Sequence, residues 1–239
     1  MSGSSSRTRA RVLDALGTVY DPELDEPITK LRFVSSCEVT PDGDVELRLR
    51  LPTPQCAPNF AFLMAADART AARAVPGVRH VTVVLDDHYT GAEINGAIAR
   101  GEGFRGAFPG ETEDDELSSL RELFRRKALV AREGSLCESL LATGMSGEQL
   151  SRMRVRDLPA GPGTRRCLEL RSELGIATAP DTPGFVLADG DPVAPGELTR
   201  WLRMARLIRT SLEANGGICR SLLAARHGLP DQQQEEIAG

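Results

Sequence analysis

The segment Leu51-Pro52-Thr53-Pro54-Gln55-Cys56-Ala57-Pro58-Asn59 sets one thiol between an alternating strand pattern and an Ala-rich helical one. Cys56 therefore stands just before a helix N-terminus, where unpaired N–H groups and the helix dipole favour the thiolate. A thiolate can act as a nucleophile or as a ligand for a soft metal. Thr53 is spaced to hydrogen-bond the sulfur or to cap the helix. The alternative is a loop cysteine without a chemical role.

Two other short segments carry usable donors. Asp21-Pro22-Glu23 places two carboxylates on a rigid turn, able to bind a hard cation or orient a thiol, or simply to be solvated. Asp86-Asp87-His88-Tyr89 follows a predicted strand. A histidine and carboxylates beside a thiolate make the mixed donor set of an iron or zinc site; the alternative is a polar loop. His80, within a strand, and His227, beside a glycine, read as structural or exposed.

Five cysteines, at 37, 56, 137, 167 and 219, form an odd set with wide spacings. Reduced thiols fit this better than a disulfide framework, and no zinc-finger spacing is present. Gly134-Ser-Leu-Cys137-Glu-Ser-Leu-Leu-Ala142 and Gly216-Gly-Ile-Cys219-Arg-Ser-Leu-Leu-Ala224 share six of nine residues. Two equivalent helix starts could bring two thiols to one place. Two helices with the same small-residue start, each burying an inert cysteine, fit the repeat better, because unpaired buried cysteine is common. Gly101-Glu-Gly-Phe-Arg-Gly106 matches a dinucleotide-binding glycine pattern but follows a helix rather than a strand, so its context fails. The chain has no Walker loop, H-E-x-x-H, C-x-x-C or G-x-S-x-G, and no enzyme class is expected.

The elements that must position these residues fall in two parts. The chain has 239 residues, enough for one large domain or two small ones, with 41 % hydrophobic and 26 % charged residues. Residues 1–6 read as a frayed tail. Residues 7–100 follow the order helix, strand, strand, helix, strand, helix: a helix over 7–20, strands over 31–39 and 45–51, a helix over 59–75, a strand over 78–85 and a helix over 91–100. This is an α/β (α+β) module. Residues 101–116 read as a Gly/Pro then acidic linker. Residues 117–229 read as mainly α. There Ser146 and Gln149 predict a capping box, an Asp189-Gly190 turn predicts a hairpin, and Gly216-Gly217 predicts a helix end. Residues 230–239 read as a tail.

The net charge of −5 argues against nucleic acid or an anionic membrane as partner. No apolar run suits a membrane span, and the opening Met1-Ser-Gly-Ser-Ser-Ser-Arg7 lacks the apolar stretch of a secretory signal. A cytoplasmic location is the expectation.

Residues about 8–100 resemble the metal–sulfur cluster biosynthesis family of PaaD, SufT and their eukaryotic iron–sulfur assembly relatives. Three features carry the resemblance: the first helix running into Asp21-Pro22-Glu23, the Thr/Pro loop with Cys56 before the second helix, and Val75-Pro-Gly-Val-Arg-His-Val-Thr-Val83. The resemblance implies an accessory factor rather than an enzyme, with Cys56 as the reactive thiol and Asp21 and Glu23 as the acidic pair. Thr53 stands three residues before the cysteine, where the family has four, and Ala57 separates Cys56 from the proline that usually follows directly.

The implied function is maturation of a metallocentre: holding iron or an iron–sulfur cluster transiently and inserting it into a client metalloenzyme, possible clients including a diiron monooxygenase. Cys56, Asp21, Glu23, Thr53 and His88 are the candidate ligands or supporters, with Cys137, Cys167 and Cys219 as further metal candidates. Partners would be the client or other assembly factors, with homodimerisation possible. The competing readings are a metal-free chaperone or adaptor for an oxygenase subunit, and a thiol enzyme using Cys56 as nucleophile.

Overall fold

The structure is a computed structural model that describes residues 2–230. Within it the chain divides into two compact units, residues 2–118 with 215–230, and residues 119–214.

The first unit is built on α1 (Ser2–Leu16), β1 (Tyr20–Asp21), β2 (Glu26–Pro27), β3 (Val34–Val39), β4 (Asp44–Arg50), α2 (Pro58–Arg73), β5 (His80–Asp86), α3 (Gly91–Arg100) and α4 (Phe104–Ala107). Strands β3, β4 and β5 form a sheet in that order, β3 antiparallel and β5 parallel to β4. The alternation of β4 sends Val45, Leu47 and Leu49 to a buried face, in register with Val81, Val83 and Leu85 of β5. Helices α2 and α3 pack on β5, and α1 packs on α2 and β3. Their small and aliphatic residues, among them Val12, Leu16, Ala61, Leu63, Ala65, Ala68 and Ile94, close the core. Arg48 and Asp86 join across the outer face, Nε to Oδ2 at 3.1 Å.

Parallel pairing fixes where the chemistry sits. Arg50 pairs with Asp86, so the loops leaving β4 and β5 emerge side by side at one sheet edge. That edge is the usual home of a functional site in an open α/β sheet.

Several boundaries differ from the sequence expectations. Helix α1 starts at Ser2, inside the predicted tail. The predicted strand over 31–39 forms only from Val34; Leu31 and Phe33 are buried in the preceding turn. The predicted linker is an ordered part of the first unit. Phe104 of α4 meets Phe62 edge-on at 5.5 Å, and the Asp115 carboxylate and carbonyl accept N–H bonds from Arg105 at 2.7 Å and Phe104 at 2.9 Å. Beyond Pro230 the predicted C-terminal tail lies outside the described residues.

The second unit holds α5 (Ser118–Ala142), α6 (Gly147–Arg152), a short 3₁₀ turn (Val155–Asp157), α7 (Pro162–Glu173) and the opening of α8 (Leu198–His227). The capping box is present: Gln149 N–H donates to Ser146 Oγ at 3.2 Å, and Ser146 N–H donates to Gln149 Oε1 at 2.7 Å. The hairpin is reduced to a single bridge between Val186 and Pro192, with Gly190 in the left-handed region at φ 99°. Gly134 lets α5 approach α8 closely: a Cβ built there would stand 2.3 Å from that of Ala205. At the centre, Arg171 and Glu133 form an ion pair with both side chains 1 % exposed. Arg171 also donates to the carbonyls of Pro183 and Gly184 at 2.8 and 2.6 Å.

Gly216-Gly217 does not end a helix. Helix α8 runs through both glycines to His227, and its residues from 215 onward belong to the first unit rather than to a separate helical domain. Gly216 is buried, its Cβ position 3.3 Å from the Glu26 carboxylate, so a small residue there permits close packing. Among the described residues, no helix is long and apolar enough to cross a membrane.

Candidate functional site

Cys56 lies in the loop between β4 and α2, half-buried, with Ala57 at the helix N-cap and Pro58 as first helical residue. The proline suits this place because its missing N–H would have had no partner in the first turn. Thr53 Oγ1 stands 3.6 Å from Cys56 Sγ, the local contact its spacing predicts. Cys56 N–H donates to Thr53 O at 3.4 Å, closing the loop into a tight turn.

The loop after β5 holds this turn in place. Tyr89 N–H donates to Pro54 O at 3.1 Å. His88 is 9 % exposed and its Nε2 lies 2.7 Å from Cys56 O. A carbonyl only accepts, so Nε2 carries its hydrogen. Nδ1 then accepts from the Thr90 backbone N–H at 3.3 Å and meets Thr90 Oγ1 at 3.1 Å. Both ring nitrogens are thus engaged. His88 is expected from the sequence among the metal ligands; in this geometry the residue braces the cysteine backbone. Asp87, at φ 50°, takes the left-handed conformation that aspartate tolerates, and its carboxylate is held by Arg226.

The Asp21-Pro22-Glu23 turn is built by Asp21 itself. Its Oδ1 accepts N–H bonds from Glu23 and Leu24, both at 2.9 Å, an Asx-type turn. Burial pushes the Asp21 carboxyl up from its ordinary value of 3.8 to about 6, against the pull of those two N–H groups and with help from the charges of Glu23 and Glu26. Strands β1 and β2, pairing Tyr20 with Pro27 and Asp21 with Glu26, fix the turn's two ends.

The last stretch of α8 covers the same region. Asn215 Nδ2 donates to Glu23 Oε1 at 3.4 Å, and Arg220 Nη1 donates to Glu26 Oε1 at 2.8 Å. Arg226 Nη1 donates to Leu51 O at 3.4 Å, at the start of the Cys56 loop. Leu223 is 2 % exposed. Cys219 lies between these contacts, half-buried. Burial pushes its thiol up to about 11, and the charges of Asp21, Cys56 and Glu23 push in the same direction.

The remaining predicted thiols lie elsewhere. Cys137 is wholly buried in the apolar cluster of the second unit with Leu150, Met153, Phe185 and Trp201; desolvation there pushes its thiol up to about 12. Cys167, on α7, is 1 % exposed. The structure thus gathers Cys56, Thr53, Asp21, Glu23, His88 and Cys219 in the first unit, and leaves Cys137 and Cys167 in the core of the second. Among the described residues, no three His, Cys, Asp or Glu side chains converge as a preformed metal-binding group. Sequence reasoning missed Asn215, Arg220 and Arg226, whose roles depend on where α8 packs. The repeat around Cys219 was the one available signal.

Comparison with known proteins bears on the same residues. The family described as iron–sulfur cluster assembly protein matches residues 9–84, a range that includes Asp21, Glu23, Thr53 and Cys56. An uncharacterized protein of Methanocaldococcus jannaschii is 33 % identical over 88 residues, 37 % of this chain and 90 % of that one. Iron–sulfur cluster carrier proteins of Mycobacterium bovis and Mycobacterium tuberculosis are 39 % identical over 87 residues, which is 36 % of this chain but only 22 % of theirs. No solved structure matches. With nearly the whole of the archaeal relative covered, and the family's range spanning the acidic turn and the thiol loop, the chain belongs to the iron–sulfur cluster assembly protein family.

Proposed function

We propose that the first unit takes up iron or an iron–sulfur cluster at Cys56, holds it briefly, and passes it to a client metalloenzyme. The observation that carries this reading is the placement of Cys56: a half-buried thiol, braced by His88 and Thr53, within the family-matching range. Its neighbourhood suits exchange. A closed site with four protein ligands holds metal firmly; a cargo held by fewer protein ligands keeps coordination positions for the recipient. Release is then ligand exchange without redox change. A client thiol bonds to iron as the Fe–S bond to Cys56 breaks, and the client's proton ends on the Cys56 thiol. Asp21 and Glu23 hold negative charge beside the cargo's iron. The client indicated by the resemblance in sequence, a diiron monooxygenase, and a cytoplasmic location are part of this proposal. So is a part for the second unit in recognising the client.

The test is anaerobic reconstitution with iron(II) and sulfide, followed by metal and sulfide analysis and an absorption spectrum, on the wild type and Cys56→Ser. Bound iron that disappears in the variant is the expected result, and sulfide content separates a cluster from mononuclear iron. No bound iron in either protein overturns the proposal and leaves a metal-free adaptor. Iron retained in full by Cys56→Ser moves the site away from this loop.

A further inference from the structure

The family's matching range ends at residue 84, yet the site continues into the stretch of α8 from Asn215 onward, more than 130 residues further along the chain. We propose that Cys219 is the second thiol of the Cys56 site, so that one chain presents two cysteine ligands to the same cargo. This deepens the proposed function and rests on it.

Asn215, Cys219, Leu223 and Arg226 recur at steps of four, four and three residues, which puts them on one face of α8. Three of the four have fixed positions. Asn215 bonds Glu23 of the acidic turn, Leu223 is buried, and Arg226 reaches Leu51 O at the start of the Cys56 loop and the Asp87 carboxylate on the loop that braces it. Cys219 follows Asn215 by one turn, about 6 Å along the axis, and so faces the same region. Its neighbour Arg220 is anchored to Glu26 at 2.8 Å, which limits rotation of the helix about its axis. The sulfur also feels the charges of Asp21, Cys56 and Glu23 together. The half-exposure of both cysteines leaves them open to a reagent or a cargo.

Chemically, a second thiol changes what the site can do. Iron in iron–sulfur clusters is ligated by cysteine thiolates, four to a common cluster. Two thiols from this chain would leave two for the recipient, so a cluster stays attached throughout the exchange. A lone Cys56 would hold it through one bond.

The test uses the 239-residue chain as wild type, Cys56→Ser, Cys219→Ser and Cys219→Ala. One arm repeats the anaerobic iron and sulfide analysis. The expected result is that both Cys219 variants lose bound iron to the same extent as Cys56→Ser. The other arm needs no iron. Phenylarsine oxide condenses with two neighbouring thiols, forming two As–S bonds and releasing the arsenic-bound oxygen as water with both thiol protons. The wild type should bind one equivalent and consume two thiols, and each single variant should lose that equivalent. Iron bound by the wild type and retained by both Cys219 variants overturns this inference while leaving the role of Cys56 intact. An arsenical equivalent unaffected by Cys219→Ser also overturns it. Absence of iron from the wild type overturns the proposed function instead, and the arsenical arm still judges the thiol pair.

Discussion

Replacing Asp21 by asparagine should make the first unit more stable at neutral pH while impairing the site. The Asp21 side chain is 7 % exposed and its carboxyl is raised from 3.8 to about 6. Below pH 3.8 the residue is protonated in both folded and unfolded chains, and its favourable contribution is fully present. Between pH 3.8 and about 6 the unfolded chain releases the proton and the folded chain keeps it, so stability falls as pH rises. Above about 6 the loss is complete. At 1.36 kcal/mol per pKa unit the displacement corresponds to about 3 kcal/mol. Asparagine cannot ionise, and its Oδ1 can accept the same N–H bonds from Glu23 and Leu24. The variant should match the wild type near pH 4 and exceed it by up to about 3 kcal/mol at pH 7. The assay is urea unfolding followed by methyl NMR signals of Leu47 and Val83, which lie in the first unit's core. Fluorescence of the single tryptophan would not serve, because Trp201 belongs to the second unit. Parallel pH profiles for the two proteins, or a variant less stable at pH 7, would refute the argument that the buried carboxylate is held at a cost.

His88→Ala removes the brace on Cys56 O, a net loss of about 1 kcal/mol. In a Cys219→Ser background, alkylation of Cys56 by iodoacetamide should accelerate by roughly fivefold, and an unchanged rate would deny His88 this role. Arg171→Met leaves the Glu133 carboxylate buried beside two unpaired carbonyls. It should destabilise the second unit by about 3–5 kcal/mol, read by Trp201 fluorescence in urea. Gly134→Ala should destabilise the second unit by about 1–3 kcal/mol, because the new methyl collides with Ala205. Gly217→Ala, which meets nothing within 4 Å, should stabilise the first unit by about 0.5–1 kcal/mol. If the two glycines respond alike in chemical denaturation, the close approach at Gly134 is wrong.

The parts of the molecule that were legible in the sequence are those whose pattern is local. The alternation of Val45, Leu47 and Leu49 marks β4, and Gly91–Arg100 forms a helix over the same residues the pattern predicts. Thr53 and Cys56 contact each other because three residues of loop bring them together. Leu31 and Phe33 look like strand residues because they are apolar, but the core takes them from a turn. The Gly/Pro composition of residues 101–116 conceals Phe104, whose packing on Phe62 orders the segment. Gly216-Gly217 carries the weakest helix propensity in α8, yet tertiary contacts at Arg220, Leu223 and Arg226 outweigh about 1 kcal/mol per glycine. Nothing local to Cys219 says that it lies near Cys56; that follows only from where α8 packs.

The packing of α8 also sets a schedule. Asn215 and Glu23 touch across 192 residues of chain, and the whole second unit is translated between them. At roughly 5–20 residues per second, the acidic turn waits about 10 to 40 seconds for its covering helix. During that interval the Cys56 loop and the sheet can form, but the helix face bearing Cys219 has not been made. A nascent chain that met iron early would present one thiol, and on the proposed arrangement a chain translated past α8 would present two.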